Sequence, residues 1–251
     1  MNFILDVHCH TVASGHAYST ISENAAHAAK IGLTHIGVSD HAPGMPGGAH
    51  IYNFTNLWSL PGEINGVRVL KGAECNIMNE TGTLDLDAWL LAKMDFVIAS
   101  FHRGTFPPAG HETHTRAAIA AMENNPDMHI LGHPGCHFFP INVQAVVSAA
   151  ARTHTIIEIN NQSLNPESFR FNGDTAILQM LKFCNEYNVP VLASSDAHIC
   201  TNVGELSRAK KVILASGIKE NLVLNTCEKR FLSAIAKKRN LGGNHELLGQ
   251  A

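Results

Sequence analysis

The sequence lacks three features that mark familiar classes of protein. None of its six cysteines forms a C-x-x-C pair, so neither a zinc ribbon nor a thioredoxin-like site is expected. No apolar run approaches the ~20 residues that span a bilayer, and the opening MNFILDVHCH has no basic start, so neither a membrane segment nor a signal peptide is expected. The net charge of -3 argues against a nucleic-acid binder, which usually has a basic face. These absences favour a cytoplasmic protein with reduced thiols that binds neither membranes nor nucleic acid.

Histidine, in contrast, is abundant. The 251 residues include 16 histidines against 18 lysines and arginines, and 45% of the chain is hydrophobic. That composition suits a globular protein with a full core. Because no linker or low-complexity tract interrupts the chain, we expect a single domain over residues 1–251.

Short apolar runs alternate with helical patterns along the chain. The runs are β-branched and bounded by Gly, Pro, Asn or Asp, which predicts strands. The predicted strands are 3–10, 34–41, 67–74, 96–102, 128–135, 155–161 and 189–198. The predicted helices are 20–32, 85–94, 111–124, 142–153, 174–188, 202–217 and 227–239. This rhythm favours an α/β protein with a seven-unit barrel, and a doubly wound open sheet is the alternative.

Polar residues follow the predicted strands where each strand ends. They are His8 and His10, Asp40 and His41, Glu74, His102 and Arg103, His133, Asn160 and Asn161, and Asp196 and His198. In a β/α barrel these carboxyl ends form one face, and active sites lie on that face. A histidine-rich core that binds no metal ion is disfavoured, because buried imidazoles without hydrogen-bond partners cost free energy.

Strand periodicity predicts where these side chains point. Side chains of a strand alternate between its two faces, so His8 and His10 share one face with Ile4 and Asp6. We expect that face to point toward the barrel axis. Asp6 should then lie below His8 and accept a hydrogen bond from a ligand imidazole, although a structural buried ion pair is an equal alternative. Cys9 and Cys75 should point at the helices. Asp196 and His198 share a face of the last strand and should point into the same open end of the barrel as His8 and His10.

Four ordered motifs resemble those of the PHP (polymerase and histidinol phosphatase) family. They are DVHCHTVASGH from residue 6, SDH ending at His41, HILGHPG around His133, and SSDAH with Asp196 and His198. The resemblance covers roughly residues 3 to 240. The HTVASGHAYST and EINNQSL stretches look closest to the stand-alone YcdX-type phosphatases.

The resemblance implies a distorted seven-stranded (β/α)7 TIM-like barrel with three Zn²⁺ ions at the carboxyl ends of its strands, Mn²⁺ or Fe being alternatives. The implied ligands are His8, His10, His16, His41, Glu74, His102, His133, Asp196 and His198. In the implied grouping, His8, His10, Glu74 and Asp196 hold one ion. Glu74 bridges to a second ion with His102 and His133, and the third ion is held by His16, His41 and His198. The implied activity is hydrolysis of phosphate monoesters of small molecules by a metal-bound hydroxide.

The ligand types agree with that chemistry. Imidazoles suit Zn, Mn or Fe better than Mg or Ca, and such ions activate water and bind phosphoryl oxygens. We expect Glu74 and Asp196 to be catalytic through the metals, and Arg103 to contact phosphate from a loop, with a surface ion pair as the alternative. Roles for His50, His111, His114 and His137 stay open.

Other functions are compatible with parts of the pattern. An amidohydrolase-like metallohydrolase also uses H-x-H on its first strand, but it does not need His16, His41 and His198 as ligands. A nucleic-acid phosphoesterase is disfavoured by the net charge. A metal-buffering or regulatory protein without turnover is the fourth hypothesis. The resemblance also suggests a homo-oligomer, with a homotrimer as the first form to consider.

Overall fold

Strands and helices alternate through the computed structural model, which describes residues 1–172 and 174–248. The strands are β1 (Leu5–Asp6), β2 (His35–Val38), β3 (Glu63–Ile64), β4 (Val67–Asn76), β5 (Phe96–Ser100), β6 (Ile130–Leu131), β7 (Ile156–Asn160) and β8 (Val191–Ser194). The helices are α1 (Ile21–Lys30), α2 (Ile51–Thr55), α3 (Ala88–Leu91), α4 (His111–Asn124), α5 (Val143–Thr153), α6 (Asp174–Tyr187), α7 (Ser207–Ser216) and α8 (Glu228–Leu248).

Seven of these strands form one parallel sheet in the order β1-β2-β4-β5-β6-β7-β8. The remaining strand, β3, pairs antiparallel with β4 and was not predicted. Asn65 and Gly66 connect β3 to β4, and both have positive φ, which is the backbone that a two-residue hairpin turn requires. The hairpin places β3 beside the first residues of β4 and leaves the order of the parallel strands unchanged.

The sheet curls until its last strand meets its first. Beyond β8, Ala197 forms a parallel bridge with Cys9, beyond β1. The amide of Ala197 donates to the carbonyl of His8 at 3.2 Å, and the amide of His10 donates to the carbonyl of Ala197 at 2.8 Å. The chain therefore forms a nearly closed (β/α)7 TIM-like barrel, which confirms the predicted fold.

The lower half of the barrel interior is apolar. Alternate residues of the strands point inward there and meet two side chains from α8, which covers the amino-terminal end of the barrel. These buried residues are Leu5, Val7, Leu70, Phe96, Ile98, Ile130, Ile156, Leu192, Leu224, Phe231 and Ile235. The Phe96 ring fills the axis because Gly72 faces it without a side chain; a Cβ on Gly72 would lie 2.5 Å from that ring.

The predicted side-chain orientation is wrong for the residues of the first strand that precede His8. Leu5 and Val7 point into the barrel, whereas Asp6 points away from the axis and accepts hydrogen bonds from the amides of Ser195 (3.2 Å) and Gly204 (2.8 Å). Regular pairing of β1 ends at Asp6, so the two-residue alternation does not continue through Val7 to His8. Cys9 does pack against α1, and Cys75 lies in the outer core among the helices, as predicted.

Within the described residues, no helix has both the length and the apolar character needed to cross a bilayer. A single domain over residues 1–251 stays a prediction, and its residues 173 and 249–251 lie outside the described part of the chain.

Candidate metal centre

All nine predicted ligand residues meet at the carboxyl ends of the parallel strands. Eight of them lie in β4 or just beyond the ends of the other strands, and His16 comes from the loop after β1. The strand-end residues are His8, His10, His41, Glu74, His102, His133, Asp196 and His198. Two of them, His133 and Asp196, have positive φ (26° and 54°), an uncommon conformation for residues other than glycine, and it occurs here where the chain leaves the sheet.

The carboxylate of Glu74 lies at the centre of this cluster. One of its oxygens, Oε2, is 2.8 Å from Nδ1 of His41 and 3.2 Å from Nε2 of His8. The other oxygen, Oε1, is 2.9 Å from Nε2 of His133 and 3.2 Å from Nε2 of His102. Glu74 thus faces different imidazoles with its two oxygens, which is the arrangement that a bridging carboxylate needs.

Asp196 provides the second carboxylate, on the β8 side of the mouth. Its Oδ1 lies 3.2 Å from Nε2 of His10 and 3.6 Å from Nε2 of His8. Nearer to solvent, Nε2 of His198 lies 3.0 Å from Nε2 of His16. The rings of His16 and His41 are stacked with their centroids 5.0 Å apart. The cluster therefore extends from the barrel axis to the rim.

The chemistry of these side chains fits a set of metal ions. Several buried ligand atoms form no hydrogen bond within the described part of the chain, and where they approach one another the geometry is not that of a hydrogen bond. These atoms are Nε2 of His8, Nδ1 of His10, both ring nitrogens of His41, Nε2 of His102 and Oε2 of Glu74. Unpaired buried polar atoms are costly and rare, whereas metal coordination satisfies them.

Three sets of side chains bring their ligand atoms within 4.8 Å of one another. They are His8, His10 and Glu74; His41, Glu74 and His102; and His10, His41 and His198. The first set agrees with the predicted grouping. The other two divide His41 between neighbouring positions, so the structure shows one continuous cluster rather than three separate sets.

Burial and neighbouring charges set the protonation of these groups. Burial opposes ionisation of Glu74, but the imidazoles around it, above all His8, hold its pKa well below the ordinary value. Burial also opposes ionisation of Asp196, but Arg170 and the histidines around the carboxylate together hold that pKa well below its ordinary value.

Burial lowers the pKa of His102 to about 4. His8 differs, because Glu74, Glu158 and Asp196 raise its pKa well above the ordinary value against the effect of burial. Ionised carboxylates and neutral imidazoles are the forms that bind metal ions, so His8 has to release a proton when an ion binds.

Comparison with known proteins assigns the family. The model for the PHP domain matches residues 6–162, and a model described as PHP-associated matches residues 177–207. The first match covers more than half of the chain and includes seven of the nine clustered residues. This chain belongs to the PHP family.

Curated PHP relatives match over nearly the full length. A protein named probable phosphatase from Thermoanaerobacter sp. (strain X514) is 45% identical over 248 residues, which cover 98% of this chain and 100% of the relative. Another probable phosphatase, from Clostridium novyi (strain NT), is 38% identical over 241 residues, covering 96% and 98%. Histidinol phosphate phosphatase from Lactococcus lactis, solved with zinc, L-histidinol and phosphate, shares the fold. Its TM-score is 0.63 at 17% identity, with 86% of this chain and 94% of that chain covered.

Glu158 of β7 performs the task that the sequence analysis assigned to Asp6. Its Oε1 lies 2.6 Å from Nδ1 of His8, and its Oε2 accepts a hydrogen bond from the amide of His133 at 2.5 Å. One buried carboxylate thus orients two of the clustered histidines. The sequence did contain a signal for Glu158. This residue lies two positions before Asn160 in the predicted strand 155–161, and residues two apart in a strand face the same side.

A second pair of carboxylates holds the loops around the mouth. Asp40 accepts hydrogen bonds from the amide of Thr11 and the hydroxyl of Ser14, both at 2.7 Å, which fixes the loop that carries His16. Asp85 binds Asn76, whose Oδ1 lies 2.7 Å from Nδ1 of His102.

Arg170 is a further residue that the sequence analysis missed. It lies beyond β7 in the segment before α6, and its Nη2 is 2.8 Å from Oδ2 of Asp196. Its Nε and Nη1 are buried and have no partner among the described residues. A cavity above the cluster is lined by Arg170, Asp196 and His198. Arg103, the predicted phosphate contact, is exposed at the rim of this cavity and lies over the ring of Phe138.

The four histidines whose roles were open lie outside the cluster. Nδ1 of His50 accepts a hydrogen bond from the amide of Tyr52 and caps α2. His114 is buried, and its Nε2 accepts from the amide of Ala109 at 3.1 Å. His111 lies on the exposed surface of α4, and His137 is exposed.

Proposed function

We propose that this PHP protein is a metal-dependent phosphatase that hydrolyses phosphate monoesters of small molecules at three zinc ions, with Mn²⁺ or Fe as alternatives. The observation that carries the proposal is the Glu74 carboxylate, which faces four imidazoles at 3.2 Å or less in a site with unpaired buried ligand atoms. The names of the curated relatives and the zinc and phosphate bound to the Lactococcus lactis enzyme support it.

The two oxygens of Glu74 suggest how the ligands divide. We assign His8, His10 and Asp196 to the Oε2 side, and His102 and His133 to the Oε1 side. We assign His16, His41 and His198 to the third position, on the solvent side of the cluster. His41 would link this position to the other two, because its Nδ1 lies 2.8 Å from Oε2 of Glu74. Ions bound there would lower the pKa of a coordinated water and stabilise charge on the phosphoryl oxygens.

Arg170 would bind the phosphoryl group. Its guanidinium lines the cavity and is held against Asp196, and its Nε and Nη1 have no partner among the described residues, so the group keeps donors for an anionic oxygen beside the cluster. Arg103 stays a predicted second phosphate contact from the rim. The cavity above the cluster has a volume of about 510 Å³, which suits a small phosphorylated molecule.

Metal analysis combined with a substrate panel tests the proposal. Elemental analysis of the purified protein should approach three ions per chain. The zinc-loaded protein should release phosphate from p-nitrophenyl phosphate, lose that activity with a chelator and regain it with Zn²⁺ or Mn²⁺. An amide, a lactone and single-stranded DNA complete the panel. Preference for any of these over the monoester, or chelator-insensitive hydrolysis, would contradict the proposal.

Two further sequence predictions belong to this proposal. The protein is expected to act in the cytoplasm, and to form a homo-oligomer, with a trimer as the first form to test by light scattering.

A further inference from the structure

The cavity above the clustered histidines and carboxylates also has an apolar wall, opposite in character to its polar floor. Phe138 and Phe169 line the same cavity as His41, His198 and Asp196. Phe138 is half-buried, whereas the side chain of Phe169 is 62% exposed. Their ring centroids are 6.4 Å apart, and the planes are tilted by 44°. An exposed phenyl ring at the edge of a polar site is a surface that a bound molecule can cover.

Each of these rings carries a guanidinium group. Cζ of Arg103 lies 4.5 Å from the centroid of Phe138, and Cζ of Arg170 lies 5.2 Å from the centroid of Phe169. We call these four side chains the planar wall. All four groups are planar, and both phenyl rings and guanidinium groups stack on aromatic rings. Phe138 is also covered by His137, whose ring centroid lies 3.9 Å away, so Phe169 offers the more exposed ring of the wall.

The planar wall begins where the phosphoryl group would bind. Arg170 contacts Asp196 of the cluster on one side and Phe169 on the other, so it joins the metal centre to the aromatic surface. A phosphate ester placed on the cluster and on Arg170 would therefore direct its leaving group along Phe169 and Phe138.

We propose that the planar wall binds the leaving group of the phosphate ester, and that this group carries a flat aromatic ring. The inference rests on the proposed phosphatase function and adds to it the class of substrate. A flat ring can stack on Phe169 and on the guanidinium planes, whereas a puckered aliphatic ring cannot lie flat on either. Stacking of this kind corresponds to about a three- to tenfold gain in affinity.

Two matched esters test the substrate class. Benzyl phosphate and cyclohexylmethyl phosphate are both esters of primary alcohols with six-membered rings, so the leaving groups differ mainly in flatness. The zinc-loaded protein should hydrolyse benzyl phosphate with a kcat/KM about three- to tenfold higher. Phe169→Leu should abolish this preference and Phe138→Leu should reduce it. Trp89→Leu, which changes an exposed aromatic residue outside the cavity, should preserve it.

A binding measurement separates this inference from the proposed activity. Benzylphosphonate and cyclohexylmethylphosphonate are not hydrolysed, and calorimetry gives their Kd values for the same zinc-loaded protein. Tighter binding of the benzyl compound, lost in Phe169→Leu, would support the planar wall even if neither ester were hydrolysed, a result that would contradict only the phosphatase function. Hydrolysis of both esters with equal kcat/KM, or equal Kd values for the two phosphonates, would overturn the inference.

Discussion

The two ends of the barrel interior are built from the same strands and have opposite chemistry. The closed end contains Leu70, Phe96 and Ile98 packed against Phe231 of α8. A few residues further along the same strands, β4 and the chain beyond β5 place Glu74 and His102 in the open end. Along the same strands, successive inward-facing residues therefore change from apolar side chains to the predicted metal ligands.

The difference shows that one end of the barrel interior stabilises the fold and the other end carries the candidate metal centre. Burial of apolar surface at the closed end stabilises the fold, with about 25 cal/mol for each Å² removed from water. At the open end, buried polar atoms that lack a partner among the described residues destabilise the fold, and bound metal ions would recover that free energy by binding the folded state. Substitutions at the two ends should consequently have separable effects.

The largest expected effect is loss of activity without loss of folding. Glu74→Gln removes the charge that faces four imidazoles, so metal content and kcat/KM should fall, the latter by about 10³-fold or more. Circular dichroism of the metal-free variant should still show a folded protein. The neighbouring Cys75→Ala, which faces the helices, is the control and should retain its metal and its activity. Full metal content in Glu74→Gln would contradict the role of Glu74 as a bridge.

The opposite pattern is expected at the closed end. Phe96→Ala removes a fully buried ring from the barrel axis and should lower the free energy of unfolding by about 3–5 kcal/mol in urea denaturation. The protein that remains folded should keep its kcat/KM within a few-fold. A large loss of kcat/KM at unchanged stability would show that the two ends are not separable.

Glu158 and Asp6 sharpen the comparison, because both are buried carboxylates near His8. Glu158→Gln should weaken zinc binding by about 10–100-fold, since the carboxylate orients His8 and the backbone of His133. Asp6→Ala should leave zinc affinity unchanged and lower the free energy of unfolding by about 1–3 kcal/mol, since two backbone amides lose their acceptor. Competition with a chromophoric chelator measures the affinities. Equal losses of zinc affinity in both variants would contradict the assignment of Glu158.

The smallest effect concerns Lys238 of α8, a buried cation that donates to the carbonyl of Met122 at 2.6 Å. Burial lowers the pKa of Lys238 from 10.5 to about 8. Between these values the unfolded chain binds more protons than the folded one, so stability should rise with pH from about 8 to 10.5.

Lys238→Met should remove most of this dependence and raise the free energy of unfolding by about 1–2 kcal/mol at pH 7. Thermal melts of both proteins across this pH range provide the measurement. Parallel pH profiles for the two proteins would show that Lys238 does not contribute.

The barrel was predictable from local sequence because its elements alternate with a regular rhythm. Six of the seven parallel strands fall within predicted strands, and β4 extends two residues beyond its predicted range of 67–74. β1 and β6 are only two residues long, since pairing stops where the chain turns toward the cluster. The β3–β4 hairpin was missed, although Asn65-Gly66 is a strong turn signal.

Eight of the nine clustered residues could be located from sequence because parallel strands bring their carboxyl ends to one face, whatever the details of packing. His16 lies in the loop after β1, and only the resemblance to the PHP motifs pointed to it. The roles of all nine as ligands stay predictions. The direction of Asp6 could not be obtained in this way, because strand periodicity holds only while the pairing is regular, and it breaks after Asp6.

The sequence by itself determined the class of fold, the residues at the mouth and the chemistry of their side chains. Only the tertiary structure placed Glu158 against His8 and Arg170 against Asp196, because these pairs are separated by 150 and 26 positions and no local pattern links them. It also decided that Phe138 and Phe169 share a cavity with His41, Asp196 and His198 of the cluster. Contacts of this kind depend on how the closed barrel and its loops bring distant segments together, and local propensity carries no information about that.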